Sequence, residues 1–236
     1  MRRVTGCGLC LLAGFALAAG TAASASAEAP EFGRCKKQAG GKFKNGGCTV
    51  ASVPGEERFE WFPGVVKNKF RTANKPETLV TFESVGGAKI TCTGESGQGE
   101  YSGLKTESGV VLTFTGCEDS HLTCTTGGQP PGTITTASLG GELRVIKTGS
   151  TPAKNKVGIE WAPAAGSAFA EFECGPLKFE LAGSLIVPLP ANAMKLSYTI
   201  KFVASKGMLK LNGEQGTLTM TMNLTNEEKL EASTVN

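Results

Sequence analysis

An all-β chain, built as an antiparallel sandwich or barrel and stapled by three disulfides, is the fold class this sequence predicts. Three observations carry that prediction. Short segments alternate apolar and polar residues with a period of two, Gly-rich turns divide them at short intervals, and six cysteines follow an export leader. The composition agrees: 236 residues with 40% hydrophobic and 19% charged content suit a folded globular chain. A formal net charge of +3 disfavours a strongly basic nucleic-acid binder.

The chain opens with Arg2 and Arg3, an apolar run from Leu9 to Ala19, and a small-residue stretch ending Ala25-Ser26-Ala27. This is the pattern of a secretory signal peptide over residues 1–27, cleaved after Ala27. The run is too short for a membrane-spanning helix, which needs roughly 20 apolar residues, so no transmembrane anchor is expected. Val4-Thr5-Gly6-Cys7 resembles a lipobox, but the apolar run follows Cys7 instead of preceding it. Cys7 and Cys10 therefore leave with the signal peptide. The expected location is secreted and extracellular, or at the cell envelope.

Charge divides the remaining chain. Ten basic and three acidic residues lie between Arg34 and Lys75, whereas 12 basic and 16 acidic residues follow from Pro76. The expected organisation is a basic N-terminal lobe over 28–75 with a disulfide hairpin, then a main β domain over 76–236.

Cys35, Cys48, Cys92, Cys117, Cys124 and Cys174 remain after cleavage, an even number in an exported chain. Cys35 and Cys48 bracket two Gly-Gly pairs and are expected to close a hairpin. Cys117 and Cys124 flank the polar stretch Glu118 to Thr123, which assigns them to each other. That leaves Cys92 with Cys174, both at the inward phase of alternating strands.

The strands follow from alternation. Leu218, Met220, Met222 and Leu224 form one inward set, and Thr217, Thr219, Thr221 and Asn223 the wet face between them. The same phase places inside Val110, Leu112 and Phe114; Val157, Ile159 and Trp161; Leu177, Phe179 and Leu181; and Tyr198, Ile200 and Phe202. Turns fall at Gly86-Gly87, Gly94 to Gly99, Gly127 to Gly132, Gly140-Gly141, Pro163 to Gly166 and Asn212-Gly213. One short helix is expected in the tail, where Thr225 and Glu228 stand at capping-box spacing.

Several stretches carry a family likeness. Pro30-Glu31-Phe32-Gly33-Arg34-Cys35, Gly41-Lys42-Phe43, Cys48-Thr49, Phe59-Glu60-Trp61 and Pro63-Gly64 resemble the opening of a family of uncharacterised secreted, cysteine-paired β proteins of high-GC Gram-positive soil bacteria. The surroundings of Cys92, Gly116-Cys117, Cys124, Phe172-x-Cys174 and Pro190-x-Asn192-x-Met194 look like the same family. The resemblance implies export and a β fold, and brings no catalytic residues with it.

Chemistry-bearing residues are few. His121 is the sole histidine and sits in Cys117-Glu118-Asp119-Ser120-His121-Leu122-Thr123-Cys124. Sequence crowding does not make a triad, which needs a base within reach of the nucleophile and a third group orienting it. A zinc site there would need thiolates, and exported cysteines are oxidised. Glu118 and Asp119 lack the spacing of a dedicated calcium loop. Glu171 and Glu173 share a strand face opposite Phe172 and Cys174, as the solvated side of a strand would. No catalytic residue, metal or cofactor is expected.

Binding has better support. Lys36, Lys37, Lys42 and Lys44 fall in the basic lobe with Trp61, a set suited to an anionic cell-envelope polymer or a polysaccharide. The alternative for Trp61 is a plug between the lobe and the body. The functional expectation is a secreted non-enzymatic binding or structural module. The alternatives are a secreted hydrolase with a dispersed site, or a self-associating surface protein using Thr217–Leu224 as an uncharged strand edge.

Overall fold

The computed structural model describes residues 30–56, 58–203 and 208–235, without the side chains of 202 and 203. The expected signal peptide, its cleavage site and the Phe202 side chain lie outside the described residues.

Two strands form the N-terminal lobe, β1 (Glu31–Lys37) and β2 (Phe59–Pro63). Eight antiparallel staves follow, most interrupted midway by a bulge or short loop. They are β3 (Lys69–Asn74) with β4 (Val80–Ser84); β5 (Lys89–Cys92) with β6 (Gly94–Tyr101); β7 (Thr106–Thr115) with β8 (Glu118–Asp119); and β9 (Leu122–Thr125) with β10 (Ile134–Thr135) and β11 (Leu139–Lys147). Next come β12 (Lys156–Pro163) with β13 (Ala168–Cys174); β14 (Leu177–Gly183) with β15 (Leu185–Leu189); β16 (Lys195–Val203) with β17 (Leu209–Leu211); and the unbroken β18 (Glu214–Ser233).

Each stave pairs with the next, and β18 returns to pair with β3 and β4. The ring closes at the other side through the β14–β17 and β17–β18 ladders. The fold is therefore an up-and-down eight-stranded barrel with β1 and β2 outside it, which resolves the sandwich-or-barrel alternative. Closure leaves no sheet edge along the ladders it completes. Eight strands enclose an interior that side chains just fill. One apolar core occupies it, including Phe70, Phe82, Phe114, Trp161, Phe169 and Met222.

Alternation sets which residues enter. Leu218, Met220, Met222 and Leu224 are buried as expected, as are Val110, Leu112, Phe114, Val157, Ile159 and Trp161. Leu177 departs from the expectation and is 49% exposed, because it begins β14 at the tip of the β13–β14 hairpin. Asn212 and Gly213 both have positive φ, 51° and 80°, and make the tight turn between β17 and β18.

Four further expectations are corrected. Gly94 to Gly99 and Gly140-Gly141, expected as turns, lie inside β6 and β11, where neighbouring strands pair with them on both sides. The tail helix is strand: β18 runs through Ser233, held by β16 at Leu230 and by β1 from Glu231 to Ser233. Sheet pairing on both sides outweighs a local cap that would support only about two helical turns. Thr217–Leu224 is no edge, since β18 pairs there with β16 on one side and with β4 and β3 on the other.

The disulfides are Cys35–Cys48, as expected, with Cys92–Cys117 and Cys124–Cys174 in place of Cys92–Cys174 and Cys117–Cys124. The register gives the reason. Ile90 and Thr91 face Asp119 and Glu118, so Cys92 faces Cys117 one step on. Glu118 faces Thr123, so Cys117 faces Cys124, whose N–H donates to the Cys117 carbonyl at 2.9 Å. Cys124 in turn faces Cys174. The four lie in one row, in the order 92, 117, 124, 174. At about 4.8 Å per strand its ends stand roughly 14 Å apart, beyond the reach of a bond. Strand phase had placed both end residues inward correctly but carried no information on the strands between them.

Candidate functional site: the basic lobe

The lobe is built on the β1–β2 ladder, from Gly33 opposite Pro63 to Lys37 opposite Phe59. Cys35–Cys48 ties β1 to the loop that joins the two strands. Within that loop Asn45 Oδ1 accepts from the Thr49 and Val50 amides, and Asn45 Nδ2 donates to Thr49 Oγ1. Arg34 and Glu228 join the lobe to β18 at 3.5 Å, and Glu228 also accepts from the Val66 and Lys67 amides.

Trp61 is half-buried and serves this architecture. Its Nε1 donates to Glu31 Oε1 at 2.6 Å, and its ring lies over Gly33, where any Cβ would overlap the indole. Both contacts lie on β1, so the indole packs within the lobe with its N–H engaged.

The four expected lysines separate. Lys42 pairs with Glu60 at 3.6 Å and Lys44 with Glu56 at 3.5 Å. Lys36 and Lys37 are exposed and form no ion pair among the described residues, with Lys36 Nζ 6.0 Å from the Phe62 ring centre. Lys37 joins Gln38, Ala39, Arg58 and Phe59 around an open groove of about 560 Å³. Arg58 is the residue sequence reasoning missed. It lies far from Lys37 along the chain, and the β1–β2 ladder brings it back, with the Gln38 N–H donating to the Arg58 carbonyl at 2.8 Å. The resulting group is two cations and an aromatic residue around one groove, with Lys36 on the opposite face of the same strand. Of the other basic residues counted with the lobe, Lys69 and Arg71 lie on β3 and so belong to the barrel wall.

The remaining candidates fall elsewhere. Ser120 and His121 are the two turn residues of the β8–β9 hairpin, with φ of 49° and 71°. Ser120 Oγ donates to Asp119 Oδ1 at 3.2 Å, and His121 points to solvent as an exposed turn residue. Glu171 and Glu173 stand on the outer face of β13, opposite Glu180 and Lys178, with Glu173 paired to Lys178 at 3.4 Å. Among the described residues no group of three or more His, Cys, Asp and Glu is placed to hold a metal ion.

Buried acids line the barrel and were not anticipated. Glu107 is 3% exposed and accepts the Trp161 Nε1–H at 2.7 Å; burial pushes its carboxyl up to about 8, outweighing that hydrogen bond. Glu95 accepts from Thr72 Oγ1 at 2.6 Å and is pushed up to about 7 by burial. The Tyr101 hydroxyl donates to Asn226 Oδ1 at 2.8 Å, and burial raises the ionisation of Tyr101 and Tyr198 above the ordinary phenol range. These groups are enclosed, so they shape the interior without offering a site to solvent.

Comparison with protein-family models, curated proteins and solved structures finds no match to this chain. Among the described residues no helix is long and apolar enough to cross a membrane.

Proposed function

We propose that this protein is a secreted, disulfide-stapled, non-enzymatic binding or structural module that acts at the cell envelope through its basic lobe. The observation that carries the reading is that Lys37 and Arg58 line one open groove with Phe59, with Lys36 on the other face of β1, none of the three cations held in an ion pair among the described residues. The barrel interior is filled by side chains, so recognition belongs on the outside. An anionic polymer suits cations held on a stapled ladder, and Arg58 supplies a planar fork for phosphate or carboxylate groups. Three disulfides suit an oxidising location, and the N-terminal leader pattern supplies the route there.

The test is retention on isolated anionic cell-wall polymer at low and high salt. The native chain should bind at low salt and release at high salt, because exposed charges are screened over about 8 Å at physiological ionic strength. A variant carrying Lys36→Gln, Lys37→Gln and Arg58→Gln should lose most retention, whereas Lys42→Gln with Lys44→Gln should lose little. Equal loss from both variants, or retention indifferent to salt, would overturn the assignment. Mass spectrometry of the exported form should find Glu28 at its N-terminus; an acylated Cys7 there would overturn cleavage at Ala27.

A further inference from the structure

The cysteine row has a property that neither bond has alone. Cys117 and Cys124 are register neighbours on β8 and β9, joined by a backbone hydrogen bond, yet each is bonded outward, to Cys92 and to Cys174. All four are fully buried on the inner face. Side chains directly opposite in an antiparallel pair have Cβ atoms about 5 Å apart, close to disulfide range. The ladders along the row are short: β5–β8 and β9–β13 each pair over two residues, so few backbone hydrogen bonds back up the two disulfides in joining β5 and β13 to the β8–β9 hairpin.

We propose that the row is a disulfide-exchange latch: reduction of either bond by a dithiol is followed by internal transfer to a Cys117–Cys124 bond, which releases both cross-barrel ties. If the dithiol reduces Cys124–Cys174, it leaves as its own disulfide and two thiols remain. The Cys124 thiolate then attacks Cys117 Sγ, the Cys92–Cys117 bond breaks, and Cys92 departs as a thiolate that takes up a proton. If Cys92–Cys117 is reduced first, the Cys117 thiolate attacks Cys124 Sγ and expels Cys174. Both routes converge on one species, with one bond at Cys117–Cys124 and thiols at Cys92 and Cys174. Transfer is favoured because the loop it closes spans seven residues, against sequence separations of 25 and 50 for the native bonds. In that species β5 and β13 are no longer tied to the β8–β9 hairpin, and the barrel end is free to open.

Cys35–Cys48 lies outside the row and serves as an internal reference. The experiment is graded reduction of the native protein with dithiothreitol, acid quenching, alkylation of free thiols, and peptide mapping after cleavage on the carboxyl side of Glu118, which separates Cys117 from Cys124. The expected main two-electron-reduced species carries label on Cys92 and Cys174 and a linked Cys117–Cys124 peptide. Label on Cys124 and Cys174 with Cys92–Cys117 intact, or the converse pattern, would overturn the proposal. A Cys92→Ser, Cys174→Ser variant gives a second measurement: under mild oxidation it should lose two mass units from Cys117 and Cys124. Persistence of both thiols while Cys35–Cys48 forms would likewise overturn it.

Discussion

Glu107 shows how one side chain sets a property of the whole protein. Its carboxyl sits against the Trp161 indole inside the barrel and stays protonated to about 8, whereas an unfolded carboxyl ionises near 4.5. The folded state therefore binds the proton more tightly, and the stability this contributes is full below about 4.5 and is lost as the pH rises through about 8. Glu95 adds a like loss between about 4.5 and about 7. Thermal unfolding should accordingly begin at lower temperature at pH 8 than at pH 5, with each carboxyl contributing up to about 1.4 kcal/mol per pH unit inside its window. Glu107→Gln keeps an oxygen for the indole N–H and removes the titration, so it should flatten the profile and raise stability at pH 8. A melting temperature that rises from pH 5 to pH 8 would contradict this account. Gly33 makes a second point at the same scale. Gly33→Ala drives a methyl into the Trp61 ring and should cost about 1–3 kcal/mol while shifting the tryptophan emission to the red. An unchanged emission would show that the indole does not hold the lobe.

Among the elements, β18 determines the most. It pairs with β1, β3, β4, β16 and β17, so its backbone groups are committed on both sides over most of its length. Thr221→Pro removes an N–H from the middle of this strand and places a ring where β16 and β3 converge; it should abolish folding, while Thr221→Val should be tolerated. Recovery of soluble, native-spectrum Thr221→Pro protein would refute the central role of β18. Much of this strand was legible in advance, because Leu218 to Leu224 alternate strictly and the Asn212-Gly213 turn marks the start of β18. Its second half was not. Asn226, Glu227, Glu228 and Lys229 interrupt the alternation, and their strand state comes from β3 at Phe70, from β16 on either side of the stretch and from the Arg34–Glu228 contact, which lie far off in sequence. The candidate site divides in the same way. Lys36 and Lys37 were visible as a basic pair, but Arg58 joins them only through ladder register, and the ion pairs of Lys42 and Lys44 depend on a loop path that composition does not encode.

For the whole molecule, the barrel is apolar inside and polar outside. Thr217, Thr219 and Thr221 face outward on β18, and Glu171, Glu173, Lys178 and Glu180 do so on β13 and β14, alternating with the buried apolar set. Such a barrel carries few helix-like local contacts, and its ring depends on pairings between distant segments such as β18 with β1 and β3. On the chain-entropy model the bonds contribute about 3 kcal/mol for Cys35–Cys48, about 3.5 kcal/mol for Cys92–Cys117 and about 4 kcal/mol for Cys124–Cys174. Location alters the consequence further. Cys35–Cys48 braces a lobe outside the ring, whereas Cys124–Cys174 joins β9 to β13, a pairing only two residues long within the wall of the barrel, whose two staves are otherwise joined by the β11–β12 ladder. Replacing Cys124 and Cys174 together by Ser should therefore lower the melting temperature of the whole barrel, whereas replacing Cys35 and Cys48 together should loosen the lobe and leave most of the barrel's cooperative transition in place. Hydrogen exchange distinguishes the two outcomes, with the first variant losing protection at β9 and β13 and the second only at β1 and β2. Loss of protection throughout the barrel in the Cys35/Cys48 variant would mean that the lobe is an integral part of the folding unit.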